Sequence, residues 1–310
     1  MLEGFGHREY NWQTSVAVQQ ELRPGIGVTA GYFHTWFGNF VAWDNVLTGP
    51  QDYDRFCITA PVDRLLPDGG GYQLCDIADV TPSKFGLVDY VATLASHFGV
   101  RKEVFNGVDA SFNARFGQGV LLQGGVSWGR TATECVGRVG TLPVADVDAP
   151  VQFCNNTPPF RPEFKLSGVY PLPVWGLQAS ATFQQLPGAP FGSVSSGEGE
   201  TNVTYPLTSA EAKRHLGRDL AQGPRGVAIA TLVEPNTYFE DRITQLDVRL
   251  TKIIQVGRTR LQGMFDIYNI LNEDAILAQQ VRYGSASPIF RQPRGVLGAR
   301  LFKLGAQLNF

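Results

Sequence analysis

Few residues of this chain could do covalent chemistry, and their surroundings argue against each. Gly125-Val-Ser-Trp-Gly129 matches the Gly-x-Ser-x-Gly nucleophile pattern. That pattern needs a strand turning sharply into a helix, with an acid and a histidine further along. Here Ser127 lies inside an alternating segment, on its polar side, and the only downstream histidine, His215, lies in a long loop segment. Asp247, Arg249 and Asp266 could be read as an acid–base set. Alternation puts all three on the polar side of two neighbouring strands, where pairing with one another is the simpler role. Asp52, Asp54, Asp76 and Asp79 could offer oxygens to Ca²⁺, but no Gly and no Glu stand at EF-hand offsets. The expectation is therefore no enzyme, no cofactor and no metal.

The four cysteines fall into two local pairs, Cys57 with Cys75 and Cys135 with Cys154, each within one polar, Gly/Pro-rich segment. Two loop-confined pairs point to two disulfides in an oxidising compartment. The spacings are wide for zinc; free or buried thiols are the alternative.

The elements that carry these residues are strands. The last ten residues, Leu301 to Phe310, place Phe302, Leu304, Ala306, Leu308 and Phe310 on one parity and Lys303, Gly305, Gln307 and Asn309 on the other. A period of two is a β-strand with one apolar and one polar face. The same alternation recurs upstream. It runs through Trp12–Val18, Ile26–Trp36, Val104–Phe116, Val120–Trp128, Phe164–Tyr170, Leu177–Gln184, Leu246–Thr251 and Leu261–Asn272, for nine strands in all. Their connections alternate short and long. The long ones run from about Asp44 to Lys102, Thr133 to Pro162, Pro187 to Asp241 and Glu273 to Pro293. Within the third, Thr208-Ser-Ala-Glu211 forms a capping box and Gly217 a stop, which predicts a short helix over Ser209–Leu216.

Composition agrees with an all-β chain. Of 310 residues, 17% are charged and 43% hydrophobic, with 35 Gly, 19 Pro and 20 Phe. Mean hydropathy is −0.09 and no apolar run is long enough for a transmembrane helix. Barrel strands hide their apolar residues in alternation, so neutral hydropathy is compatible with a membrane. A net charge of −2 gives no case for nucleic acid as a partner.

A soluble sandwich has no reason to keep every second loop long; an outer-membrane barrel has short periplasmic turns and long external loops. Ten residues from Ile26 to Trp36, at about 3.3 Å each and a tilt of about 40°, rise roughly 25 Å, the height of the apolar band. Trp36, Trp128 and Tyr32 are expected near the outer interface, and Phe116, Trp175 and Phe310 near the inner one. The expected fold is a transmembrane antiparallel β-barrel portion, with outer-membrane lipid as a partner. The expected location is the outer membrane of a Gram-negative bacterium. The start, Met1 to Tyr10, has no basic segment followed by an apolar core, so no signal peptide is expected in these residues.

Three stretches carry a family resemblance. They are Gln245-Leu-Asp-Val-Arg-Leu-Thr-Lys252, Leu261-Gln-Gly-Met-Phe-Asp-Ile-Tyr-Asn-Ile-Leu-Asn272 and Arg300 to Phe310. Together they resemble the C-terminal end of TonB-dependent outer-membrane receptors, more closely the Oar-like subgroup. The loop Asp52-Tyr-Asp-Arg-Phe-Cys57 through Gly69-Gly-Gly-Tyr-Gln-Leu-Cys75 resembles that subgroup's external loops. The resemblance implies a 22-stranded barrel with an N-terminal plug, of which residues 1–310 are the C-terminal portion. The plug, the earlier barrel strands and the TonB-contacting segment would lie in a missing N-terminal part, and TonB would act only through that part. It also implies that the final strand, with Phe302, Leu304, Leu308 and Phe310 toward lipid, is read by the barrel-assembly machinery. The implied function is the wall and external loops of an energy-coupled receptor for a scarce or large solute. The alternative is a non-transport surface protein that binds a partner or matrix through its loops.

Overall fold

The computed structural model describes residues 6–136, 153, 155–191, 203–284 and 290–310. Alternating residues build one large antiparallel sheet of nine strands. They are β1 (Tyr10–Arg23), β2 (Ile26–Gly38), β3 (Val100–Phe116), β4 (Val120–Val136), β5 (Glu163–Pro171), β6 (Leu177–Leu186), β7 (Ile243–Val256), β8 (Thr259–Tyr268) and β9 (Leu301–Asn309). Each strand pairs with its neighbours in the sequence, in the order β1 to β9, so the sheet is an open meander with no crossover. The short connections hold a few residues each; in the first, Pro24-Gly25 turns with Gly25 at φ +83°. The long connections, 39–99, 137–162, 187–242 and 269–300, all leave from the opposite end.

Register sets what each face carries, because residues in one rung point the same way. One face is predominantly apolar across the sheet. A single rung joins Tyr170, Ala179, Leu250, Phe265 and Leu304. The rings of Phe265 and Phe302 stack on this side at 6.1 Å. The opposite face carries Gln19, Thr29, Ser111, Gly125, Lys165, Gln184 and Gln245 in one rung. Leu304 is 81% exposed, and Trp12, Val16, Val18 and Leu308 are also exposed. Exposed apolar side chains aligned along one face of a sheet mark a surface that contacts lipid or another protein. None of the described helices is long and apolar enough to cross a membrane.

The buried core lies elsewhere, among the long connections. Phe56, Ile58, Leu66 and Leu74 from 39–99 pack with Leu207, Ala212, Leu220 and Leu232 from 187–242 and with Val281 and Phe290 from 269–300. Fully buried side chains such as Ile58, Leu232 and Val281 each contribute roughly 1.5–3 kcal/mol. Four two-stranded sheets stand among these connections: Val41–Asn45 with Tyr90–Leu94, Tyr53–Thr59 with Gln73–Val80, Thr204–Thr208 with Val227–Thr231, and Ile276–Gln279 with Pro293–Val296. The helix spans Ser209–Leu216. The Thr208 hydroxyl accepts from the Glu211 N–H, the Glu211 carboxylate accepts from the Thr208 N–H, and Gly217 closes the helix at φ +81°.

Several boundaries differ from the sequence reading. β3 begins at Val100 and β4 runs on to Val136, so their hairpin projects beyond the expected loop edge. β8 ends at Tyr268, not Asn272. Asn269 and Asn272 adopt φ of +48° and +55°, a conformation Asn tolerates. The Asn269 amide donates to Glu273 O at 2.9 Å and Gly298 O at 2.8 Å, tying down the turn. The long connections contain four two-stranded sheets and most of the buried core. Alternation is weak in strands of four to eight residues whose partners lie far along the chain.

Candidate functional site

The polar face and the cap of packed loops above it form the candidate site. Near the loop end of β1 to β5 the polar face holds a recess of about 750 Å³. Gln13, Ser15, Thr35, Ser127 and Thr131 supply hydroxyl and amide groups to it, Asp109 and Glu163 carboxylates, and Arg161 a guanidinium. Glu163 is ion-paired with Lys165. Arg161 lies over the Phe239 ring, 3.7 Å from its centroid, and donates to Gly188 O. Its pKa is lowered, first by burial and then by the nearby Arg242.

Three aromatic residues, Phe33, Phe37 and Phe105, stand among these polar groups. Phe105 lies over two glycines: a Cβ on Gly107 or Gly129 would sit 2.7 or 2.8 Å from its ring. The ring therefore lies flat against the wall and gives the recess an apolar floor. The sequence reading passed over all three; aromatic residues on the polar parity of a strand were the available signal.

Further along the face, Arg249 and Asp266 occupy one rung of β7 and β8. Arg249 Nε lies 2.5 Å from Asp266 Oδ1 and Nη2 lies 3.0 Å from Oδ2. Asp247 accepts from the Asn269 N–H at 2.8 Å and from Gln245 Nε2 at 2.9 Å. The three residues thus share one face, with Arg249 paired to Asp266 and Asp247 holding the turn after β8. Ser127 sits mid-strand in β4, in one rung with Asp109 and Glu163, and no strand-to-helix elbow is present there. His215 lies in the last turn of the helix. Phe302, Leu304 and Leu308 project from the apolar face of β9, and Phe310 lies just past the strand, fully exposed.

The cap is held by polar links as well as by its core. Arg218 donates to Asp54 Oδ2 at 2.7 Å and to Asp79 Oδ2 at 2.5 Å, joining two long connections. Tyr72 donates to Leu232 O at 2.5 Å, and Tyr283 to Asp63 Oδ2 at 3.0 Å. Burial and the Asp63 hydrogen bond push the Tyr283 phenol up to about 12. Burial and Glu211 do the same for Tyr205, also to about 12. Burial raises the Glu211 carboxyl, but hydrogen bonds from Thr208 and Tyr205 outweigh it and the net shift is downward. The buried Glu240 carboxyl is raised by desolvation, despite accepting two hydrogen bonds from Gln279. Asn156 Nδ2 donates to Pro235 O at 2.6 Å, bringing the second long connection against the third.

Cys57 and Cys75 are joined by a disulfide across the Tyr53–Thr59/Gln73–Val80 hairpin. Cys135 is also disulfide-bonded; Cys154 lies outside the described residues. Asp54 and Asp79 are engaged by Arg218, Asp76 pairs with Arg55, and no metal-ligand cluster occurs among the described residues.

No protein-family model matches this chain, and no curated protein matches it. Among solved structures, it is similar to the outer membrane transporter YddB from Escherichia coli, with a TM-score of 0.45 and 11% identity. The match covers 96% of this chain and 32% of that one, so the chain spans about a third of that transporter's length.

Proposed function

We propose that this chain is part of the barrel wall, with the external loops, of an outer-membrane receptor that takes up a large or scarce solute. One observation carries the reading. A nine-stranded meander has an apolar face and a polar face, its long connections all leave from one end, and three of them share one buried core. Lipid accounts for the exposed apolar face, a water-filled lumen for the polar one, and ligand capture for the cap. β1 and β9 each have one unpaired edge within the sheet. Unpaired backbone groups in lipid cost several kcal/mol each, so both edges pair with further strands of a larger barrel. Energy coupling through TonB and a plug, and membership of the Oar-like subgroup, follow from the resemblance of Gln245–Lys252, Leu261–Asn272 and Arg300–Phe310. The solute would meet the hydroxyl, amide and carboxylate groups of the recess, with Phe33, Phe37 and Phe105 as apolar floor.

A second reading is a surface protein that binds a partner through its loops. Val62, 87% exposed, supports it, as do the exposed Trp43, Phe85 and Val88 on the same connection. The experiment is outer-membrane fractionation of the full-length protein, followed by solute uptake with and without an energised inner membrane. Recovery as a detergent-free soluble protein would end both readings. Membrane location without energy-dependent uptake would favour the second.

A further inference from the structure

One rung of the apolar face is polar. Thr14, His34, Asn106 and Arg130 are consecutive cross-strand partners over β1 to β4. They share the parity of the apolar residues around them. The rung on the loop side is Trp12, Trp36, Val104 and Ala132, with Trp12 and Trp36 stacked at 6.5 Å. The rung on the other side is Val16, Tyr32, Val108 and Trp128.

The polar groups are held in place by one another and by neighbouring rings. Asn106 Oδ1 accepts from the Tyr32 hydroxyl at 2.7 Å and lies 2.8 Å from His34 Nδ1. A carbonyl oxygen only accepts, so Nδ1 of His34 carries a proton; Nε2 of the neutral ring is then an acceptor, able to take a hydrogen bond from a P–OH group, and donates only on a doubly protonated ring. The His34 ring lies between Tyr32 and Trp36, 6.5 and 5.5 Å from their centroids. Arg130 is placed by the Phe160 ring, 4.4 Å from its centroid, and by Pro158 O at 3.4 Å. The nearest carboxylate on this face beyond the Trp12 rung, Glu134, is engaged by Lys102 at 3.3 Å.

Depth narrows the ligand. From His34 to Ile26, eight residues at about 3.3 Å and a tilt of about 40° span roughly 20 Å. The rung therefore lies about 5 Å below the loop-side limit of an apolar band about 25 Å tall, one rung beneath the Trp12–Trp36 pair and within reach of the headgroup region. We propose that Thr14, His34, Asn106 and Arg130 bind the phosphoryl group of an outer-leaflet lipid, whose acyl chains lie on the apolar rungs below. The proposal rests on the membrane reading above. A free anion would gain only the polar rung; a lipid gains the chains as well.

The test uses the full-length receptor, purified from outer membranes in mild detergent and checked for heat-modifiable migration. Native mass spectrometry reads retention of bisphosphorylated lipid A, of the same lipid dephosphorylated, and of lipid A in the presence of millimolar inorganic phosphate. The wild type should retain the phosphorylated lipid, retain about ten-fold less of the dephosphorylated one, and be indifferent to inorganic phosphate. That ten-fold loss corresponds to about 1.4 kcal/mol. Arg130→Gln, and Arg130→Ala combined with His34→Ala, should fall to the dephosphorylated level, while Lys303→Ala on the opposite face should not. Equal retention of both lipids, or unchanged retention in Arg130→Gln, would overturn the site. Displacement by inorganic phosphate alone would overturn the lipid assignment. If the double variant fails to fold, the comparison of lipids on the wild type still decides. A receptor found soluble would instead sink the membrane reading itself.

Discussion

Arg249 on β7 and Asp266 on β8 face each other across one rung of the polar face, with two N–H groups of the guanidinium directed at the two carboxylate oxygens. Asp266 is 4% exposed, whereas Arg249 keeps contact with the aqueous side. Tyr268 also donates toward Asp266 Oδ2, at 3.4 Å. Removing the cation leaves a buried carboxylate without its main partner; removing both charges does not.

Arg249→Met should therefore destabilise the folded protein by about 1–3 kcal/mol. Asp266→Asn, which keeps a polar group in place, should cost less. Arg249→Met combined with Asp266→Leu should recover part of the loss. Urea unfolding of the detergent-solubilised protein, followed by gel mobility, measures all three. A double variant less stable than either single change would contradict the account.

The disulfides give a second test. Non-reducing peptide mapping should recover a Cys57–Cys75 linkage and a Cys135–Cys154 linkage. A bond closing a separation of 18 residues stabilises by about 3 kcal/mol. Cys57→Ala with Cys75→Ala should open the 60–72 segment to protease while leaving the strands protected. A linkage from Cys57 to Cys135 or Cys154 would refute the pairing.

How much of this could be read beforehand depended on the range of the interactions. Strands of nine or more residues with a period of two were legible, because alternation is local. So was the helix, since Thr208, Glu211 and Gly217 lie within ten residues of one another. The cap was not legible: its links join Tyr72 to Leu232 and Asp63 to Tyr283, pairs separated by 160 and 220 residues. The polar rung was hidden for another reason. Thr14, His34, Asn106 and Arg130 are each an unremarkable interruption of one strand, and only register brings them into line. The same holds for Phe33 and Phe105, whose place on the polar face matters because the glycines beside them leave room for flat rings.

Alkaline pH should loosen the cap before the sheet. Tyr205 and Tyr283 have phenols raised to about 12 from an ordinary 10, with burial the first cause in both. A raised pKa means the folded state favours the neutral phenol. The stability it contributes is complete below about pH 10 and is lost as pH rises through about 12. Phenolate absorbance should show Tyr205 and Tyr283 titrating late, with Tyr72 also raised by burial, and protease sensitivity in 187–242 and 269–300 should rise in the same window. Tyr283→Phe should remove one of the two and weaken the cap by about 0.5–1.5 kcal/mol. Titration of all tyrosines near 10 in the folded protein would count against this.

The final strand gives the last test, and it separates assembly from binding. On β9, Phe302, Leu304 and Leu308 stand on the apolar face, with Phe302 stacked on Phe265 of β8. Lys303 lies on the polar face, in the rung of Asp266. Phe310 follows Asn309 at the end of the sheet opposite the cap, where an aromatic ring suits a membrane interface. The recess and the cap lie toward the other end, so Phe310 touches neither. In the proposed receptor β9 must pair through its open edge to close the barrel, and its apolar side chains must face lipid while it does so. Deleting Phe310 from the full-length protein should therefore sharply lower its amount in the outer membrane. Molecules that do insert should bind solute with near-wild-type affinity, since no wall or loop contact has changed. Leu304→Asp should give the same pattern more strongly, because a carboxylate would then face hydrocarbon from the middle of the strand. Normal membrane abundance with weakened binding would show that this strand serves the ligand and not assembly.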